Sequence, residues 1–259
     1  MSTGHSSEIS RAYPDRVEVR GHDLTSELMG RVGFSEYFHL LLTGREPTEE
    51  QRFFLDLLLV SIAEHGLMPS NVAARMTLAA DPDSLQGAVA AGILGAGPVV
   101  LGSSEECARL LVAGQERVAA GETPATVARA LVQEIHAAGA KIPGFGHPLH
   151  RPVDPRAERI FELADERGAS GPNVLLAREL REAAAETVGK PLPMNVALAI
   201  AAVWLDLGYP PETTKTIPIL ARTASLLAHL VEEQERPIGL YLAAKAEEVA
   251  GHSSGEDAS

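Results

Sequence analysis

An all-α fold is what this sequence predicts, and three observations carry the prediction. Over most of the chain, apolar residues recur at spacings of three and four, the period of a helix that buries one face. Aromatic residues make up only 4% of the 259 positions, and Ala and Leu supply most of the apolar bulk, which suits helix packed on helix. Only one short stretch, Arg16-Val-Glu-Val-Arg20, alternates at period two as a strand does. With 45% apolar residues, the length is ample for a core in one large domain or two intertwined lobes.

The elements follow in order. Residues 1–12 and 251–259 are polar tails expected to be disordered. The short strand over 16–20 comes next, and from Leu24 the period is helical. Gly44 ends the segment FSEYFHLLLTG, Pro47-Thr48 reopens a helix, and Thr48 with Gln51 makes a capping box for a long helix to Glu64, stopped by Gly66. Further helices are expected at 71–80, 84–94, 105–120, 125–138, 155–166, 174–188, 194–207, 219–235 and 238–249. Thr123-Pro124 and Asp154-Pro155 each pair a cap with proline at the first helical position, where the missing N–H costs nothing. No fixed-period repeat is present.

A formal charge of −13 argues against a nucleic-acid or anionic-membrane surface, though not against a small anion that responds to local charge. The lone Cys107 excludes an internal disulfide and fits a reducing compartment. The opening MSTGHSSEIS lacks the apolar run of a signal peptide, and FFLDLLLVSIA and VALAIAAVWL are too short or interrupted to span a bilayer. A soluble, cytoplasmic protein is the expectation. No HExxH or CxxC suggests a metal, and no G-x-S-x-G or Walker sequence suggests a serine hydrolase or a nucleotide-phosphate site.

Local charge does concentrate at PGFGHPLHRPVDPRAER, residues 143–159. From Lys141 to Arg159 four Lys/Arg face two acids. Gly144 and Gly146 free the backbone around Phe145, so amides are expected to approach an anionic ligand. A surface turn before an amphipathic helix is the plainer reading of the same residues. His65, in Glu-His-Gly, sits where a long helix ends, a position that on its own suits a favourable dipole contact. It also suits acid–base work near neutral pH. Arg222 lies in an amphipathic segment, ILARTASLLAHLVEE, where an arginine is commonly a snorkelling residue. His229 reads as part of that helix's structure, since it lies two turns further on.

The pattern Gly144-Phe145-Gly146-His147, Arg151, Asp154-Pro155-Arg156 resembles the citrate synthase superfamily, including its citryl-CoA lyase modules. Eight positions agree over 13 residues. Similar islands occur in the family's order, among them VEVRGHDL, EHGLMPSNVAAR, LPMNVALAIAAV and RPIGLYL, and they span about nine-tenths of the chain, roughly Val17 to Val249. The resemblance implies a large helical domain, here 1–102 plus 194–259, interrupted by a small one at 103–193, in a homodimer. It implies that His65 and His147 are catalytic and that Arg156 and Arg222 bind substrate carboxylates. Arg236, in an Arg-Pro arm, would reach into the partner's site. Gly144, Phe145, Gly146 and Arg151 would meet coenzyme A, which enters as part of the substrate, with no permanent cofactor. Each planar guanidinium can pair bidentately with a carboxylate, so three suit a tricarboxylate.

Two departures bear on the chemistry. Where the synthases carry a histidine in a GPLHGGA-like stretch, this chain has Val100. Where they carry an aspartate after Asn-Val, it has Ala197. Losing one preorganised donor typically costs ~10²–10³ in rate, and losing a general base ~10²–10⁴. The lyase modules also lack that histidine but keep the aspartate. The resemblance therefore points first to a carbon–carbon lyase cleaving citryl-CoA or a related 3-hydroxyacyl-CoA. The alternatives are a condensing enzyme with a relocated base, for which His150 is the nearest substitute, and a non-catalytic binder of CoA esters or polycarboxylates.

Overall fold

A computed structural model describes residues 7–97, 101, 103–147 and 150–250. The chain forms two compact units, Met1–Leu57 and Leu58–Ser259.

The first unit opens with an antiparallel sheet of three strands in the order β1 (Ser10–Ala12), β2 (Val17–Val19) and β3 (His22–Asp23). Val19 pairs with His22 across a two-residue turn in which Arg20 and Gly21 have φ of 51° and 87°. Positive φ at both central residues is the twist-compatible hairpin turn that asks for glycine. Two expectations need correction here. The period-two stretch is a strand, but it has two partners, and Ser10–Ala12 belongs to the sheet rather than to a disordered tail. Strands of two or three residues are too short to show alternation, and β1 is exposed throughout. Backbone pairing holds them, and backbone pairing leaves little mark on composition. A π turn at Leu24–Leu28 follows, capped by Asp23. Helix α1 (Phe34–Thr43) then ends at Gly44 with φ 72°. Val19, Leu28 and Leu40 form this unit's small core, with Tyr37 and Leu41 packed on it.

Helix α2 (Glu49–Ala63) carries the chain into the second unit. Its capping box forms as expected: Gln51 N–H donates to Thr48 Oγ1 at 3.1 Å and Thr48 N–H to Gln51 Oε1 at 3.0 Å. The second unit is helical: α3 (Pro69–Ala80), α4 (Leu85–Leu94), α5 (Ser103–Ala119), α6 (Pro124–Ala137), α7 (Pro155–Glu166), α8 (Pro172–Val188), α9 (Val196–Asp206), α10 (Thr216–Glu235) and α11 (Gly239–Ala250). Residues 196–204 of α9 are all buried, so this helix is apolar on every side and sits at the centre, against α5, α7 and α8. Around α3 gather α4, α10 and α11. Where α3 and α10 begin two or three residues before the expected starts, Pro69 and Pro218 lie in the first turn, where proline is tolerated. No described helix is long and apolar enough to cross a membrane.

One glycine sets how the loop before α7 meets α9. Gly144 has φ 83°, and a Cβ there would lie 2.6 Å from Leu198 Cβ and 3.0 Å from Cys107 Sγ. Asn195 N–H donates to Gly144 O and Gly146 N–H to Pro193 O, stitching the glycine turn to the start of α9.

Candidate active site

A cavity of about 410 Å³ opens where α3, α5 and α9 begin. Pro69 at the start of α3, Ser103 at the start of α5, and Asn195, Val196 and Ala197 at the start of α9 line it. Helix N-termini carry partial positive charge, so three of them make the space favourable to an anion. Two further cavities, of about 320 and 400 Å³, are similar in size but are lined mainly by apolar side chains. Chemistry rather than volume marks this one, because His65, His147, Arg156 and Arg222 all face it.

His65 is held by the residue before it. Glu64 Oε1 accepts the N–H groups of His65 at 2.8 Å and Gly66 at 2.6 Å. Its other oxygen accepts from Ser225 Oγ and lies 3.1 Å from His229 Nε2. Burial pushes the Glu64 carboxyl up, but these four hydrogen bonds outweigh it and bring the pKa to about 2. Arg75 Nε donates to His229 Nδ1 at 3.2 Å, while His229 Nε2 stands between Glu64 and the Asn71 side-chain amide. His229 thus supports the Glu64–Gly66 segment as well as its own helix.

Asp154 does the same for Arg156. It is fully buried and caps α7. Oδ1 accepts from Arg156 N–H and Nε, while Oδ2 accepts from Arg156 Nη2 at 2.8 Å and Val196 N–H at 3.1 Å. One carboxylate therefore fixes an arginine and the first turn of the central helix together. Arg222 is only 3% exposed; its Nη1 donates to Ala63 O at 3.3 Å, and its Nε has no hydrogen-bond partner. Arg222 thus brings a buried guanidinium with an unused N–H to the cavity wall.

Both histidines are held toward the neutral form. Burial lowers the His65 pKa, and the charges of Arg156, His150 and Arg222 lower it further against an opposing pull from Asp154. Burial and His150 lower His147 in the same way. His147 Nδ1 accepts the His150 N–H at 2.9 Å, and Arg156 Nη2 lies 3.4 Å from its Nε2. The two rings lie 5.3 Å apart, centre to centre. They can serve one reaction, one taking a proton while the other donates to an oxygen.

A match to the family described as citrate synthase, C-terminal domain, covers residues 12–239. The chain belongs to the citrate synthase family. A solved citryl-CoA lyase from Hydrogenobacter thermophilus is 30% identical and superposes with a TM-score of 0.79, covering 89% of this chain and 87% of its own. An ATP citrate lyase from Methanothrix soehngenii, solved with citrate and coenzyme A, shares the fold at 22% identity, with a TM-score of 0.77 over 91% of this chain and 39% of that one. The citrate synthase of Heyndrickxia coagulans is 28% identical over 95% of this chain and 68% of its own length. The chain spans about half to two thirds of the length of the curated synthases it matches.

Of the residues singled out from the sequence, His65, His147, Arg156, Arg222 and Gly146 meet at the cavity. The others do not line it. Gly144 is buried, and its missing side chain makes room for Leu198. Phe145 N–H donates to Ile142 O and Gly146 N–H to Pro193 O, so these two amides of the glycine turn are used within the chain. Arg151 is exposed. Arg236 caps the far end of α10, fourteen residues and roughly 21 Å along the helix from Arg222. Ala197 lines the wall, whereas Val100 lies outside the described residues. Glu64, Asn195 and Ser103 were not singled out. Glu64 beside a histidine had no distinguishing pattern, because its partners lie on α10, more than 160 residues away.

Proposed function

We propose that this protein is a CoA-dependent carbon–carbon lyase that cleaves citryl-CoA, or a related 3-hydroxyacyl-CoA, to acetyl-CoA and an oxo-acid such as oxaloacetate. The observation that carries this reading is one wall: two histidines and two arginines around one cavity, groups that can take a hydroxyl proton and hold carboxylates. Cleavage begins at a hydroxyl, which histidines can deprotonate. Condensation begins at a methyl carbon, which calls for the base that is missing. The similarity to a citryl-CoA lyase over nearly the whole of both chains points the same way.

In this reading the substrate's carboxylates lie against Arg156 and Arg222. His65 takes the tertiary hydroxyl proton, the carbon–carbon bond breaks as the ketone forms, and the electron pair moves into the thioester as an enolate. His147 donates to the oxygen on which charge develops. The enolate carbon then takes a proton, from His65 or from water through it, giving acetyl-CoA. No electron leaves the organic fragments, so the balance needs no further reactant. Arg151 would meet coenzyme A, residues 103–193 would form the smaller domain, and Arg236 would complete the site of a second subunit.

Parallel incubations test the proposal, one with citryl-CoA and one with acetyl-CoA plus oxaloacetate, following thioester and oxo-acid together. Rapid formation of oxaloacetate from citryl-CoA, with slow condensation, is expected. Fast condensation would favour the synthase reading suggested by the curated relatives. Binding of CoA esters without turnover would favour a binder.

A further inference from the structure

His150, outside the cavity wall, completes a cluster that neither composition nor motif spacing announces. His65 and His150 are 85 residues apart in sequence, yet their Nε2 atoms lie 3.4 Å apart. The His147 ring lies 4.3 Å from that of His150 and 5.3 Å from that of His65. One ring nitrogen from each of the three falls within 4.8 Å of the others, and all three side chains are partly exposed. We propose that His65, His147 and His150 form a site for a first-row divalent transition metal, of which Zn²⁺ is the fitting example.

The geometry suits such an ion. Two imidazole nitrogens bound to tetrahedral zinc at about 2.0–2.1 Å stand roughly 3.3–3.4 Å from each other, which is the His65–His150 separation. Imidazole is the ligand that zinc, copper and nickel share, and three histidines with an open fourth position form a common zinc set. The neighbouring cations do not exclude a metal. Arg156 is paired with buried Asp154, its Nη2 lying 3.4 Å from His147 Nε2, and Arg222 feels the opposing charge of Glu64. The third ligand requires one rearrangement. His147 Nδ1 now accepts the His150 N–H. Ligation through Nδ1 takes that lone pair, and ligation through Nε2 moves the ring proton to Nδ1, so by either route the His150 amide loses its acceptor. Metal occupancy also withdraws His65 and His147 from proton transfer, so the ion acts as an inhibitor of the reaction proposed above.

Untagged full-length protein, freed of metal, should be titrated with Co²⁺, whose visible bands report four-coordinate geometry, and then with Zn²⁺ in competition. One equivalent should bind with tetrahedral bands, and Zn²⁺ should displace it. H150Q and H65Q should each lose more than the roughly 10–100-fold in affinity that removal of an outer partner costs. Melting curves must show both variants folded, so that either one decides the matter alone. With ¹⁵N-labelled protein, Zn²⁺ should shift the His150 amide resonance as its hydrogen bond is lost. Unchanged affinity in the folded variants, octahedral cobalt bands, or an unmoved His150 amide would overturn the site. None of these readouts uses turnover, so a failed lyase assay leaves the inference standing, and a failed metal titration leaves the lyase reading standing.

Discussion

Replacing Asp154 with alanine strips four hydrogen bonds from one place. The cap of α7 goes, the Val196 amide at the start of the buried helix loses its partner, and Arg156 loses the carboxylate that grips both Nε and Nη2. Breaking a buried pair by removing one partner typically costs about 3–5 kcal/mol. Arg156 keeps about a fifth of its side chain in water, so the lower end applies, roughly 3 kcal/mol. At about 2–4 °C per kcal/mol for a chain of this size, the melting temperature should fall by roughly 6–12 °C. Asp154→Asn, which keeps an acceptor for the helix cap, should fall less. The pH dependence has a definite sign. Burial raises the Asp154 carboxyl, but the hydrogen bonds and charge of Arg156 outweigh it and lower the pKa below the ordinary aspartate value. The contribution is therefore complete above about pH 4 and lost as the pH falls through the native value, so wild type and D154A should converge in acid. Differential scanning calorimetry from pH 3 to 8 reads both effects. A D154A protein that melts with the wild type at pH 7 would refute the reasoning.

The remaining expectations are briefer. Citrate or oxaloacetate at a hundredfold excess over its dissociation constant should stabilise the protein by about 2.7 kcal/mol, and Arg156→Ala and Arg222→Ala should each remove most of the accompanying rise in melting temperature. Gly144→Ala puts a methyl group 2.6 Å from Leu198 Cβ at φ 83°, so it should destabilise by at least about 1–3 kcal/mol in urea unfolding; an unchanged midpoint counts against the packing role given to this glycine. Ala197→Asp should speed exchange of acetyl-CoA methyl protons with solvent deuterium, read by NMR, provided melting shows that the new carboxylate is tolerated.

The helices were legible in their apolar spacing, and several again in their caps: Thr48 with Gln51, Thr123-Pro124 and Asp154-Pro155 all stand where the sequence puts them. The small sheet was legible only at β2, since β1 and β3 are shorter than the pattern that reveals a strand. At the site, His147 and Arg156 come from one segment and were visible together. Glu64, Ser225 and His229 were not, because their hydrogen bonds join α10 to the end of α2 across the fold. The glycine turn has a packing role that the sequence pattern does not show. Gly144 marks a crowded backbone crossing over Leu198, and the Phe145 and Gly146 amides are satisfied within the chain.

Cleavage of citryl-CoA in deuterated water, with mass analysis of the acetyl-CoA released, tests the central claim most directly. The site has histidines to deprotonate a hydroxyl, and Ala197 offers no carboxylate to work the methyl carbon reversibly. The account predicts oxaloacetate together with acetyl-CoA carrying a single deuterium, and no growth of further deuteration on prolonged incubation. Acetyl-CoA with two or three deuterons would reveal a base acting on the methyl group, and intact citryl-CoA would show that these residues bind without cleaving.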